Sequence, residues 1–289
     1  MTFNRDRKNF KKIIILSVFS LIMSSGSFFQ ISADEVDSPS VEYINASQYT
    51  STDSVDGVSN GNDKDVENIS VKPLEFTPTR IRSYSKKDGV NDSKFDPREK
   101  GYMTGVRDQE SLGICWTFAG NATLESFLKL KGYGDFDLSE EHMRWWAKDN
   151  VYGWNIGDTQ GSTNETSIGY FTSWLGPKLE KDIPYNGRVT RENGAKKPAN
   201  YDSASRLPYN VTGVINVAAD KTSVKNAILK YGAVMSGYYD DKKYLSSDSN
   251  SYYLNEKLGQ NHAITIVGWD DNYSVDKFNG AAKPGSKGA

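Results

Sequence analysis

Sulfur and imidazole are scarce in this chain of 289 residues, which has one cysteine, Cys115, and two histidines, His142 and His262. A lone cysteine excludes an internal disulfide, so the fold must be held by its core, and the thiol is left buried, reactive or awaiting a partner. Long apolar runs are missing too. After the first 25 residues nothing approaches the roughly 18 consecutive apolar residues that cross a bilayer, so no membrane span is expected there. The net charge of −2 offers no large basic excess, and nucleic acid is not an expected partner. No motif calls for a cofactor or a metal. What is there, 37% hydrophobic and 25% charged residues, is the composition of a globular chain with a polar portion attached.

The polar portion comes early. Arg5, Arg7, Lys8, Lys11 and Lys12 make a basic start, Ile13 to Met23 an apolar core, and Ser32-Ala33 a small-residue cleavage site before Asp34. This pattern predicts a signal peptide over 1–33 and therefore export, to the medium or to the cell surface. From Asp34 to Val71 nine acidic residues stand against one lysine, Lys64, with few large apolar side chains. Such a stretch buries too little surface to offset its ordering entropy, which predicts disorder. Residues 34–92 then read as a propeptide or a surface spacer, with the basic turn at Arg80, Arg82, Lys86 and Lys87 as an exposed site for proteolytic removal.

Globular sequence begins near Phe95. Phe118, Ala119, Ala122, Phe127 and Leu128 recur at helical spacing, and Gly132 follows as a stop, so Cys115 falls at a helix start. Ser139 reads as the N-cap of a second helix through Met143, Trp145 and Trp146, with His142 as a surface or half-buried structural histidine. Ser167 to Trp174 reads as a third helix. Beyond it the character changes. Val211 to Val217, Ala233 to Tyr239 and Ala263 to Trp269 read as strands, with a short amphipathic helix at Val224, Ala227, Ile228 and Tyr231 before Gly232. The expectation is an α+β protein of two lobes, helical over 93–205 and β-rich over 206–289.

A thiol becomes a good nucleophile as the thiolate, which a helix N-terminus and a neighbouring histidine stabilise. Cys115 has the helix start. His262 opens a strand in which His262, Ile264 and Ile266 share one face. The segment Gln109-Glu110-Ser111-Leu112-Gly113-Ile114-Cys115-Trp116 resembles the nucleophile segment of the papain and cathepsin family of cysteine peptidases. Asp96 to Val106 is similar to that family's mature N-terminus, Leu138-Ser139-Glu140-Glu141 to its second helix start, Gly176 with Ile183-Pro184-Tyr185 to a landmark between the lobes, and His262 to Trp269 to its histidine strand. His262 follows Cys115 by 147 residues, within the family's range.

The resemblance implies a two-lobed papain-like fold with an antiparallel β lobe, and hydrolysis of protein or peptide substrates. Cys115 would attack the peptide carbonyl, His262 would protonate the leaving amine and then activate water, and Gln109 would join the Cys115 N–H in holding the oxyanion. Gly161 and Ser162 fall where the family has a glycine pair that meets the substrate backbone, or form a plain loop. Leu112 stands where many relatives carry a second cysteine, and bulky Ile114 replaces a small residue. The family's Asn-Ser-Trp-Gly motif, whose Asn orients the histidine, is absent from the 27 residues after His262. That absence predicts an incomplete β lobe with an unpaired edge, and little or no turnover by the chain as it stands. A surface or binding protein that keeps the scaffold is the alternative.

Overall fold

A helix starts at the only cysteine. In the computed structural model, which describes residues 11–17 as backbone and residues 89–148, 155–248 and 250–289 in full, α1 runs over Cys115–Leu130. The described residues lie in one compact unit, whereas a second unit, 24–77, and the whole acidic stretch Asp34 to Val71 fall outside them. The apolar spacing of α1 predicts one buried stripe. The structure buries almost the whole helix, including Asn121, Thr123, Glu125 and Ser126, because α1 is central and touches neighbours on all sides.

Helix α2 (Glu140–Lys148) packs on α1 and is capped as expected, the Ser139 hydroxyl accepting the His142 N–H at 2.9 Å. Helix α3 (Asn164–Thr172) starts before the expected Ser167 and stops short of Trp174. Trp174 has φ +61°, a left-handed conformation that cannot continue a helix. Trp116, Leu124, Leu128, Met143, Trp146 and Phe171 form the core between these helices. His142 corrects an expectation, for it is only 2% exposed. Its Nδ1 meets the Tyr170 hydroxyl at 2.7 Å and its ring stacks on Tyr201 at 4.2 Å, so the imidazole is part of the packed interior.

The second half carries β3 (Tyr209–Asn216), α4 (Lys221–Tyr231), β4 (Val234–Tyr238) and β5 (His262–Ile266). Asp220 caps α4 by accepting the Ser223 N–H at 2.9 Å, and Gly232 ends it at φ +88°. A Cβ at Gly232 would lie 2.7 Å from the Ser126 hydroxyl, so both backbone and space demand glycine. Strands β4 and β5 pair antiparallel, from Val234 opposite Ile266 to Tyr238 opposite His262. Strand β1 (Lys11–Ser17), within the predicted leader, lies in the same sheet and pairs parallel with β3, from Lys11 opposite Tyr209 to Ser17 opposite Asn216.

The sheet order is therefore β3-β1-β4-β5: the antiparallel pairing expected of this lobe is made by β4 with β5, and β1 adds parallel pairing to it. The reason is the crossover: β3 passes through α4 to β4 in the same direction, leaving between them a place for one strand, which β1 occupies. Strand β5 is an edge strand, all five of its residues are only partly buried, and no described strand flanks its far side. A small antiparallel pair, β2 (Lys94–Phe95) with β6 (Trp269–Asp270), ties the start of the globular region to the second half, and Phe95 stacks on Trp269 at 5.0 Å. Val217, Ala227, Ile228, Val234 and Trp269 form a second core. The fold class is α+β, helices first and sheet second.

Candidate active site

The Cys115 sulfur sits at the N-terminus of α1, 7% of the residue exposed, and accepts the Ala263 N–H at 3.3 Å. This hydrogen bond joins the helical half to the second residue of β5. Burial pushes the thiol above its ordinary value, while the N–H groups of Ala263 and Trp116 pull it back. The depressed pKa expected from the helix start is outweighed here by desolvation.

His262, the neighbour of Ala263, is the first residue of β5. Its ring meets the Tyr238 ring edge-on at 5.5 Å, and among the described residues no group hydrogen-bonds to it. It lines a cavity of about 350 Å³ together with Gln109, Phe118, Ile264, Thr265 and Val267. Gln109 is therefore on the wall of the same cleft. Its Nε2 donates to the Leu112 carbonyl at 2.8 Å, which leaves one amide hydrogen for a second acceptor. The loop before Cys115 is held from outside, with the Tyr185 hydroxyl donating to the Gln109 carbonyl at 2.6 Å and the Ser111 hydroxyl to the Gly187 carbonyl at 3.3 Å. Glu110 in the middle adopts φ +52°.

Gly161 has φ +68° with open space where a side chain would go, and the Ser162 hydroxyl is paired with that of Thr166 at 2.6 Å. Their loop abuts the loop before Cys115, since the Gly113 N–H donates to the Asp158 carbonyl at 2.7 Å. A Cβ on Gly113 would come within 3.1 Å of the Thr159 backbone, so any larger residue there would press the two loops apart by a few tenths of an ångström.

Sequence reasoning missed the groups that hold these loops. Arg144, buried in α2, donates to Asp158 at 2.6 and 2.9 Å, to Glu141 at 2.9 Å, and to the carbonyls of Asn186 and Val189. Arg191 adds a second ion pair to Asp158 at 2.6 Å. Burial alone would raise the Asp158 carboxyl, but the Arg144 hydrogen bonds and the Arg191 N–H hold it below the usual range. A second hub is Arg107, two residues before Gln109, which reaches Glu125 at 3.1 Å and Glu140 at 3.0 Å. Burial pushes Glu140 up to about 8 against the attraction of Arg107, and pushes Glu180 nearby up to about 7. The signals were an arginine amid the tryptophans of α2 and acids on buried helical positions. Tyr238, whose ring meets that of His262, lay in a strand to which the sequence reading gave no site role.

Known proteins resemble this chain in sequence and fold. Cysteine proteinase 2 of Entamoeba histolytica is 31% identical over 187 residues, covering 60% of this chain and 53% of that protein. The crystal structure of the cysteine protease and lectin-like domains of Cwp84, a surface layer associated protein of Clostridium difficile, is 48% identical over 74% of this chain and 45% of that one, with a TM-score of 0.68. A second structure of the clostridial cysteine protease Cwp84, a variant after propeptide cleavage, is 51% identical over 68% of this chain and 48% of that one, with a TM-score of 0.65. The chain spans about half the length of the curated relatives it matches. Residues 91–279 match the family model described as papain family cysteine protease, and the chain belongs to that family.

Proposed function

We propose that this chain carries the peptidase module of an exported cysteine endopeptidase, with Cys115 as nucleophile and His262 as acid and base. The observation that carries the reading is the Cys115 sulfur at a helix N-terminus, hydrogen-bonded to the residue next to His262. When His262 holds a proton it supplies the cation that the buried sulfur lacks, and the pair becomes thiolate and imidazolium. The thiolate adds to the peptide carbonyl, and the oxyanion is held by the Cys115 N–H and the free hydrogen of the Gln109 amide. His262 gives its proton to the leaving amine, then takes one from water that releases the acyl group. Gly161 offers an unobstructed backbone to the substrate chain.

Turnover by the chain as it stands should be slow, because nothing hydrogen-bonds to the His262 ring among the described residues and its tautomer and aim are unset. Export follows from the basic and apolar start of the sequence. Removal of that leader would vacate the place of β1 between β3 and β4. The surface-layer association of Cwp84 makes the cell surface a reasonable destination. The test is labelling of the full chain with a peptidyl epoxide. We expect one adduct, on Cys115, formed faster than by a free thiol and slowed at least tenfold in His262→Ala. Labelling no faster than a free thiol would favour a scaffold retained for binding.

A further inference from the structure

Residues 185–188 grip three consecutive residues of the loop before Cys115. The Tyr185 hydroxyl donates to the Gln109 carbonyl at 2.6 Å, Arg188 lies 3.8 Å from the Glu110 carboxylate, and the Gly187 carbonyl accepts the Ser111 hydroxyl at 3.3 Å. The three ties are not equal. The Arg188 side chain is 85% exposed, so its ion pair adds little, and the Ser111 bond is long, whereas the Tyr185 bond is short and Tyr185 is half-buried. Burial pushes the phenol above its ordinary value, so at neutral pH it is a donor.

Gln109 is tied to itself through Leu112. Its carbonyl accepts the Leu112 N–H at 3.4 Å as well as the Tyr185 hydroxyl, and its Nε2 donates to the Leu112 carbonyl at 2.8 Å. Leu112 is 1% exposed, which anchors this turn in the core. Carbonyl, turn and amide therefore move together, and the hydroxyl that fixes the first sets the direction of the last. Tyr185 is braced from behind. Its N–H donates to Glu180 at 2.6 Å, its ring meets Phe118 of α1 edge-on at 5.0 Å, and buried Arg144 holds the carbonyls of Asn186 and Val189 at 3.0 and 2.8 Å. A Cβ on Gly187 would come within 2.6 Å of the Tyr185 ring and hydroxyl, so any side chain there would press on the bond to Gln109. A donor whose supports are themselves fixed meets developing charge without reorganising.

We propose that Tyr185 is a positioning residue for the peptidase reaction, its hydroxyl fixing the turn from which the Gln109 amide reaches the oxyanion, an inference that rests on Cys115 and Gln109 acting as proposed above. Tyr185 touches neither substrate nor sulfur in this role. It acts through Gln109.

The test uses the full chain and two reagents for Cys115. With a peptidyl p-nitrophenyl ester the sulfur adds to the carbonyl, and the tetrahedral adduct expels p-nitrophenolate to leave a thioester. The phenolate leaves without a proton, so the burst reads oxyanion stabilisation apart from acid catalysis by His262. Iodoacetamide alkylates the same sulfur by displacement of iodide, with no oxyanion. Tyr185→Phe keeps the ring against Phe118 and should slow acylation at saturating ester about tenfold, with half-saturation and the alkylation rate each within about twofold. Gly187→Ala should slow acylation in the same way. Gln109→Ala should slow it about a hundredfold, and adding Tyr185→Phe to that variant should slow it no further than about twofold. Acylation by Tyr185→Phe as fast as by the parent, a tenfold loss that persists in the Gln109→Ala background, or equal slowing of both reagents would each overturn the inference while leaving the peptidase reading in place. A parent chain that gives no burst, or a burst that survives Cys115→Ala, would overturn the peptidase reading and the inference with it.

Discussion

Glu140→Gln should make the protein more stable as the pH rises, the reverse of what removal of an ion-pair carboxylate ordinarily does. Glu140 is 1% exposed, shares Arg107 with Glu125, and faces Asp137 and Glu180 across the same cluster. Burial raises its carboxyl to about 8 in the folded state, from 4.5 for an unperturbed group. Above the unfolded value the unfolded chain has lost this proton and the folded chain has kept it, so folding takes up a proton and stability falls with rising pH until both states are ionised. Between pH 4.5 and pH 7 that linkage costs about 3 kcal/mol. Glutamine has the shape of the protonated acid, can still accept from Arg107 and does not titrate. Urea unfolding followed by tryptophan fluorescence at half-unit steps from pH 4.5 to 8 should show the variant and the parent together at the acid end and the variant about 3 kcal/mol ahead at pH 7. Curves that stay parallel across that range would refute the reasoning.

Asp158→Asn should act at the other end of the scale. Its folded carboxyl lies below the ordinary value, so its contribution is present above pH 3.8 and disappears as the pH falls through the folded value; the variant should lose stability at pH 7 and show a flatter acid limb in thermal melts. Arg144→Met leaves Asp158 with Arg191 alone and should cost about 3 kcal/mol, and a double-mutant cycle with Asp158→Ala should show strong coupling between the two positions. Tyr238→Ala removes the one ring against His262 and should slow epoxide labelling of Cys115 severalfold while leaving its alkylation by iodoacetamide within about twofold; equal slowing of both reagents would assign Tyr238 to the fold instead. Cys115→Ala should abolish labelling with the melting temperature nearly unchanged, since the side chain gives up a single hydrogen bond.

The features that local rules govern were legible. Ser139 and Gly232 mark helix ends because capping chemistry and left-handed backbone are properties of single residues, and both positions behave as their residue types require. The positions of Cys115 and His262 at a helix start and a strand start could be read from spacing, although nothing local states that Ala263 would reach the sulfur from 148 residues away. His142 was misjudged for the same reason. Its burial depends on Tyr170 and Tyr201, which arrive from other segments. Arg144 and Arg107 carry charges that on a sequence look like solvent-facing ones, and only the assembled loops show that each is surrounded by carboxylates and carbonyls. The mixed sheet was invisible because strand order is decided by which edges are open, and Lys11–Ser17 enters from the far end of the chain.

The hydrogen bond from Ala263 to the Cys115 sulfur makes that thiol a gauge of how the two halves sit. Burial and that N–H oppose each other in setting the thiol. If the halves part by a fraction of an ångström, the sulfur loses a donor and gains water in the same movement. Reactivity and breathing of the cleft are then one variable, and the temperature dependence of Cys115 alkylation would report the stiffness of the contact between α1 and β5.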